Sequence, residues 1–376
     1  MKSGNSCWMK MTKAILADVN PGQRQLDSIR ALRGIAVLLV LMSHIMSVEN
    51  KYAGDRLLPD WLEFGFSGVD LFFGISGFIM VYVTWKLAPG ARQALSFLSA
   101  RVGRIYPLYW VVTFALMLVW WQSPHLVFAS ESKIPNLLHS YALWPSERDP
   151  LLPLGWTLIH EMYFYLVFAV LLLLPKNRRL IGLAAWLGLV AVGFFYWLST
   201  EYPPPIPRVI FSSLSLEFVA GALGAYGLFA WKGRGWKWSL IVGAGLFVLG
   251  NFWFAFDPPD KMWGHWSRAF YFAPGLLLSL YGVVGWELSG ARFSKILCRI
   301  GDQSYSLYLT HLLTLSVLGR LWMMWAGPGM ADNLLMLPIL LLGSIGIGQL
   351  TYQFLERPLL GQTRKLRTRW FGKTEA

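Results

Sequence analysis

Ten stretches of predominantly apolar residues recur along this 376-residue chain, at about 31–48, 64–85, 105–121, 151–174, 180–199, 209–231, 238–256, 269–286, 303–325 and 334–355. Each is 17–24 residues long, enough to cross about 30 Å of hydrocarbon at roughly 1.5 Å per residue. Hydrocarbon offers the backbone no hydrogen-bond partner, so such runs must satisfy their own N–H and C=O groups as helices. The expected fold is all-α, a polytopic membrane helix bundle with about ten transmembrane helices. Composition agrees: 14% of residues are charged, against about 25% in soluble domains. Pro107, Pro274 and Pro338 fall inside the runs, where membrane helices tolerate proline.

Lysine and arginine set the orientation. With the N-terminus inside, 24 of the 33 fall in inner segments and eight on the outer side, and every inner segment holds at least three. Both termini are therefore expected in the cytoplasm of a bacterial inner-membrane protein. Residues 1–29 form an N-terminal segment without the apolar core of a signal peptide. Residues 30–358 form the membrane domain, and 359–376 a basic tail. The net charge of +13 raises nucleic-acid binding, but the basic residues lie in short loops between apolar runs, which excludes it. Cys7 and Cys298 show no metal-ligand spacing, and a reducing compartment disfavours a disulfide. The outer loop at 122–150, with His125 and His139, is long enough for a lid or acceptor-binding element, or is an ordinary connector.

Ionisable residues inside membrane spans are costly and mark candidate sites. Here they are Arg33, His44, Asp70, His160, Glu161, Glu217 and His311. On the expected topology Arg33 lies near the inner face and His44 in the outer third, with Asp70 and His160–Glu161 also in the outer half. His44, Asp70 and Glu161 are thus expected at one depth, as an acid–base group. His160 faces another direction than Glu161, because adjacent helical residues diverge. Glu217, His311, Tyr305, Ser306 and Tyr308 are expected to make contacts between helices. Arg101 and Arg104 stand at R-x-x-R spacing, which puts two guanidiniums on one side of a helical turn. Such a pair suits phosphate, though it also suits a positive-inside anchor. Arg33 and His44 are eleven residues apart, about 16 Å along a helix, comparable to an extended pantetheine arm.

LDSIRALRGIAVLLVLMSH, GVDLFFGISGFIMV, RVGRIYPLYW, LGWTLIHEMYFYLVF and GDQSYSLYLTH occur in this order. Together they resemble the acyltransferase-3 family of membrane O-acyltransferases, from about Leu26 to Pro358. The resemblance implies transfer of an acyl group, acetyl foremost, from cytoplasmic acyl-coenzyme A to an extracytoplasmic polysaccharide or lipid-linked glycan. Acetyl-coenzyme A is then a co-substrate, with no tightly bound cofactor and no metal. It implies Arg33 and His44 as the essential first-helix pair, Arg101 and Arg104 as the coenzyme A contact and Glu161 as a catalytic carboxylate. Asp70 is a catalytic candidate by its depth alone, or else orients the packing of the second helix, and Arg33 by its depth joins the donor contacts. Some relatives carry a fused extracytoplasmic hydrolase-like domain. This sequence ends on a basic tail, so direct acylation or a separate polysaccharide-assembly partner is expected. The rival reading is a transporter or flippase whose intramembrane charges line a solute or proton path.

Overall fold

A computed structural model describes residues 25–127, 135–199, 203–256, 266–327 and 329–372. Cys7, most of the N-terminal segment and residues 128–134 of the long outer loop lie outside it. The described residues are helical, without strands. In chain order the main helices are α1 (Asp27–Tyr52), α2 (Ser67–Thr84), α3 (Ala91–Gln122), α4 (Gly155–Leu171), α5 (Lys176–Ser199) and α6 (Leu214–Trp231). They continue with α7 (Trp236–Phe256), α8 (Trp266–Leu288), α9 (Lys295–Asp302), α10 (Ser304–Met323), α11 (Ala331–Thr351) and α12 (Arg357–Phe371). Each of the ten apolar stretches coincides with a helix. Among the described residues, seven helical segments are long and apolar enough to cross a membrane, and α4 is apolar but shorter.

Two departures from the sequence reading bear on the site. The second stretch opens with a tight 3-10 turn, Asp60–Phe66, before α2 begins. The basic tail is also not a separate segment. α11 runs through five π-helical residues, Tyr352–Glu356, into α12, giving 41 continuous helical residues. A π segment inside an α-helix changes its register. α12 then packs along the start of α3, where Thr363 meets Gly103 and Arg92 donates to the Phe371 carbonyl at 3.0 Å.

Packing between the central helices depends on glycine. A Cβ on Gly221 of α6 would stand 1.8 Å from the Gly74 carbonyl of α2, and one on Gly77 would stand 1.9 Å from that of Phe218. Only hydrogen at these positions allows the two backbones to cross so closely, as small residues do between membrane helices. α1 is fixed at its N-terminal end by other parts of the chain. The Glu287 carboxylate of α8 accepts from the Asp27 and Ser28 amides at 3.1 and 2.9 Å, and from the Ser28 hydroxyl at 2.5 Å. An anion there suits the unpaired N–H groups and positive dipole end of a helix. Arg30 binds Asp302 of α9 with Nε and Nη2, at 2.8 and 2.5 Å. At its C-terminal end, buried Glu49 accepts from the amides of Leu57 and Leu58 at 2.9 Å and from Asn333 of α11 at 2.6 Å.

Candidate functional site

Fixed in this way, α1 presents Arg33, Val40, His44 and Ser47 along one stripe. Arg33 and His44 differ by eleven residues, close to three turns of 3.6, so they share a face. That face opens onto a row of three cavities. A middle cavity of about 290 Å³ lies between α1, α2, α3, α4 and α10, and Arg33 stands in its wall with Arg101, Arg104, Glu161 and Tyr308. An outer cavity of about 300 Å³ holds His44 and shares Val69 and Tyr308 with the middle one. A third, of about 590 Å³, opens beside α12 and shares Arg33, Arg104, Ile79 and Val83.

Helical periodicity explains the walls of the middle cavity. α4 contributes Thr157, Glu161 and Tyr165, spaced four residues apart and so stacked on one face. α2 contributes Val69, Phe72, Phe73, Ser76, Ile79, Met80 and Val83, a stripe of period three to four. Arg101 and Arg104 enter from α3, and the R-x-x-R spacing puts both on the cavity. Arg33 Nη2 donates to the Ser304 hydroxyl at 2.8 Å. The Arg101 guanidinium lies 5.2 Å from the Phe97 ring centre and 5.7 Å from that of Tyr165, and its buried Nε has no hydrogen-bond partner. Among the described residues none of the three arginines forms an ion pair. Uncompensated guanidiniums around a cavity are costly to hold and complement an anionic ligand.

Glu161 belongs to this arginine-lined cavity. Its Oε1 accepts from Ser76 at 3.1 Å and from the Tyr165 hydroxyl. The expectation that His44, Asp70 and Glu161 form one acid–base group is therefore corrected. Neither carboxylate reaches the His44 ring among the described residues. Instead His44 Nδ1 lies 2.8 Å from the Val40 carbonyl oxygen. A carbonyl can only accept, so Nδ1 carries the proton in that contact and Nε2 presents its lone pair.

Asp70 follows Val69 on α2, and one residue turns it about 100° away from the cavity stripe. There it holds Arg268 of α8 in a two-pronged pair, Nε–Oδ1 and Nη2–Oδ2 both at 2.7 Å, with side chains 0% and 3% exposed. Buried Glu217 of α6 lies beside this pair. Arg268 lines the outer cavity and donates to the Phe66 carbonyl at 3.3 Å, and the Phe66 ring packs edge-on against His44 at 5.2 Å. Asp70 thus stands behind His44, with Arg268 and Phe66 between them.

His160 turns away from Glu161, as expected. It packs among Phe73, Trp156 and Phe164. Tyr305, Ser306 and Tyr308 bridge helices through Ile105, Glu356 and Thr157, at 2.7, 2.6 and 2.9 Å. His311 makes the expected contact between helices, but sequence does not name its partner, His44. Its ring lies edge-on to His44 at 5.0 Å, its Nδ1 is 2.7 Å from the Tyr308 carbonyl oxygen, and its buried Nε2 has no partner. The signal available was its place in SYSLYLTH, one turn beyond Tyr308 on the same face.

Residues 26–353 match the family model described as an acyltransferase domain, acyltransferase-3. The exopolysaccharide production protein ExoZ of Rhizobium meliloti (strain 1021) is 33% identical over 319 residues, covering 81% of this chain and 92% of that protein. A Staphylococcus aureus (strain COL) protein named "Putative O-acetyltransferase SACOL0978" is 26% identical over 329 residues, 78% of this chain and 51% of that longer protein. No solved structure matches.

Proposed function

This chain belongs to the acyltransferase-3 family and is a membrane O-acyltransferase, and from that premise we propose that it acetylates an extracytoplasmic glycan with acetyl-coenzyme A. The donor enters from the cytoplasm and the acceptor is an exopolysaccharide or a lipid-linked precursor, the class named in the ExoZ relative. The chain crosses the bacterial inner membrane ten times with both termini inside. Family membership favours transfer chemistry over a transporter.

One observation carries the reading. Arg33 and His44 share a face of α1 and open onto neighbouring cavities, about 16 Å apart. Arg33, Arg101 and Arg104 hold donor phosphate. The pantetheine arm lies along the middle cavity, between the Ile79–Val83 end and Tyr308, and presents the thioester towards His44. The outer cavity receives one sugar unit, with Trp156 and Phe66 as apolar walls and Ser47 and Asp149 as polar ones.

His44 Nε2 takes the proton of the sugar hydroxyl as its oxygen attacks the thioester carbonyl. The C–O ester bond forms, the C–S bond breaks, and the proton passes from the imidazole to the departing thiolate to give free coenzyme A. In a variant route Nε2 attacks the thioester first and releases the coenzyme A thiolate; the sugar oxygen then takes the acetyl group from the ring, and the hydroxyl proton ends on the thiolate. Fixing the two reactants in adjoining cavities removes most of the entropy cost of their encounter. Glu161, held by Ser76 and Tyr165, shares the cavity wall with the three arginines and offsets only part of their charge.

The experiment is turnover of acetyl-coenzyme A by membranes carrying the chain and the producing cell's surface glycan. His44→Ala is expected to lower O-acetylation at least about 100-fold with unchanged membrane insertion. Near-full activity in that variant removes His44 from the chemistry.

A further inference from the structure

The cavity beside α12 has a composition that the three inner arginines do not account for. At about 590 Å³ it is twice the size of either neighbour, and α12 adds Arg357 and Arg364 to its wall. Seven residues separate them, two helical turns, so they lie on one face about 10 Å apart. They are exposed, and neither is ion-paired among the described residues. Arg30, also in the wall, is already neutralised by Asp27 and Asp302. The Glu356 carboxylate is engaged by Ser306 at 2.6 Å. Arg33, Arg104, Arg357 and Arg364 are therefore the four cations left to face a ligand.

We infer that α12 completes a binding site for the nucleotide end of the donor, with Arg357 and Arg364 gripping phosphate. This inference rests on the acetyl-coenzyme A reading and assigns that reading a second subsite on a different element. A phosphoadenosine diphosphate unit carries about −4 near neutral pH and would meet four guanidiniums from two directions. They are offset in part by the Glu356 carboxylate in the same wall, which the neutral Ser306 hydroxyl does not neutralise. Arg33 and Arg104 belong to both this cavity and the middle one, so they mark the place where the nucleotide ends and the arm begins. The π segment gives α12 its access. It ends at Glu356, and Arg357 is the first residue beyond it. α12 then runs along α3, with Thr363 against Gly103, midway between Arg101 and Arg104 in sequence.

The test uses the purified full chain in nanodiscs of phosphatidylcholine alone, where no anionic lipid headgroup competes for the arginines. Binding of radiolabelled acetyl-coenzyme A is measured, and S-acetyl-4′-phosphopantetheine, which lacks the nucleotide, serves as competitor. The wild type is expected to favour the complete donor by 30-fold or more. The Arg357→Gln/Arg364→Gln double variant is expected to lose most of that preference, with its affinity for the truncated donor unchanged. Arg357→Lys/Arg364→Lys is expected to retain part of it. Unchanged binding of acetyl-coenzyme A by the Gln variant overturns the inference and assigns the arginines to lipid headgroups or solvent. Equal loss of both donors also overturns it, since the nucleotide would then not be what they read. A wild type that binds neither donor overturns the acetyl-coenzyme A reading itself.

Discussion

Removing the Asp70 carboxylate tests how the outer cavity is built. Asp70 and Arg268 are buried, at 0% and 3% side-chain exposure, and joined by two hydrogen bonds of 2.7 Å. Breaking a buried pair by removing one partner costs about 3–5 kcal/mol, because the other charge is left without compensation. Glu217 is also buried beside Arg268 and takes over part of its charge. Asp70→Asn is therefore expected at the low end, about 3 kcal/mol, and Asp70→Asn/Glu217→Gln at the high end. At about 1.3 °C per kcal/mol for a chain of 376 residues, from an unfolding entropy of about 2.1 cal/mol/K per residue, the single variant should melt about 4 °C lower. Asp70→Leu/Arg268→Met removes both charges and is expected within about 1 kcal/mol of wild type. The assay is thermal unfolding in detergent at one scan rate, followed by intrinsic tryptophan fluorescence. An Asp70→Asn variant that melts with the wild type refutes the reasoning, as does an apolar double variant no more stable than the single one. Loss of acetylation should accompany every one of these changes, since Arg268 holds the Phe66 carbonyl and Phe66 packs on His44.

Four further outcomes follow from the same contacts. Gly221→Val places a side chain where a Cβ alone would meet the Gly74 carbonyl at 1.8 Å; separation of α2 from α6 should appear as aggregation in size-exclusion chromatography. Glu49→Ala removes the acceptor of three hydrogen bonds, at about 1.5–3 kcal/mol each when the acceptor is charged. Faster proteolysis of the 53–59 loop would report it. His311→Phe keeps a ring against His44 but loses its nitrogens; acetyl transfer is expected to fall by about 10-fold or more while acetyl-coenzyme A binding stays unchanged. Tyr165→Phe removes the hydroxyl that binds Glu161 and should weaken donor binding less than Arg101→Ala does, as competition binding would show.

The helices were legible because lipid leaves the backbone one solution and the apolar runs state their lengths directly. The inner arginines were legible for a related reason. R-x-x-R and the eleven-residue interval of Arg33 and His44 are distances along single helices, and periodicity converts them into shared faces. What stayed hidden is set between helices. Nothing local to Asp70 shows that its partner is Arg268, 198 residues away, and nothing near His44 shows that His311 lies against it. Depth alone grouped Glu161 with His44, whereas the direction of each side chain places them in separate cavities. The tail was read as basic and therefore apart. Its charge hides an uninterrupted helix, since arginine and lysine are good helix formers.

The contact between His44 and the Val40 carbonyl limits what mutation can do to the imidazole. Main-chain oxygen survives any side-chain replacement at position 40, so the ring's tautomer is immune to changes in its surroundings. The same oxygen bears no full negative charge, and positive charge gathering on the ring finds no fixed anion bonded to it. On the proposed reading, in which His44 is the base, such a ring works best when the proton arrives late and leaves early, which would tie deprotonation of the alcohol to formation of the ester bond.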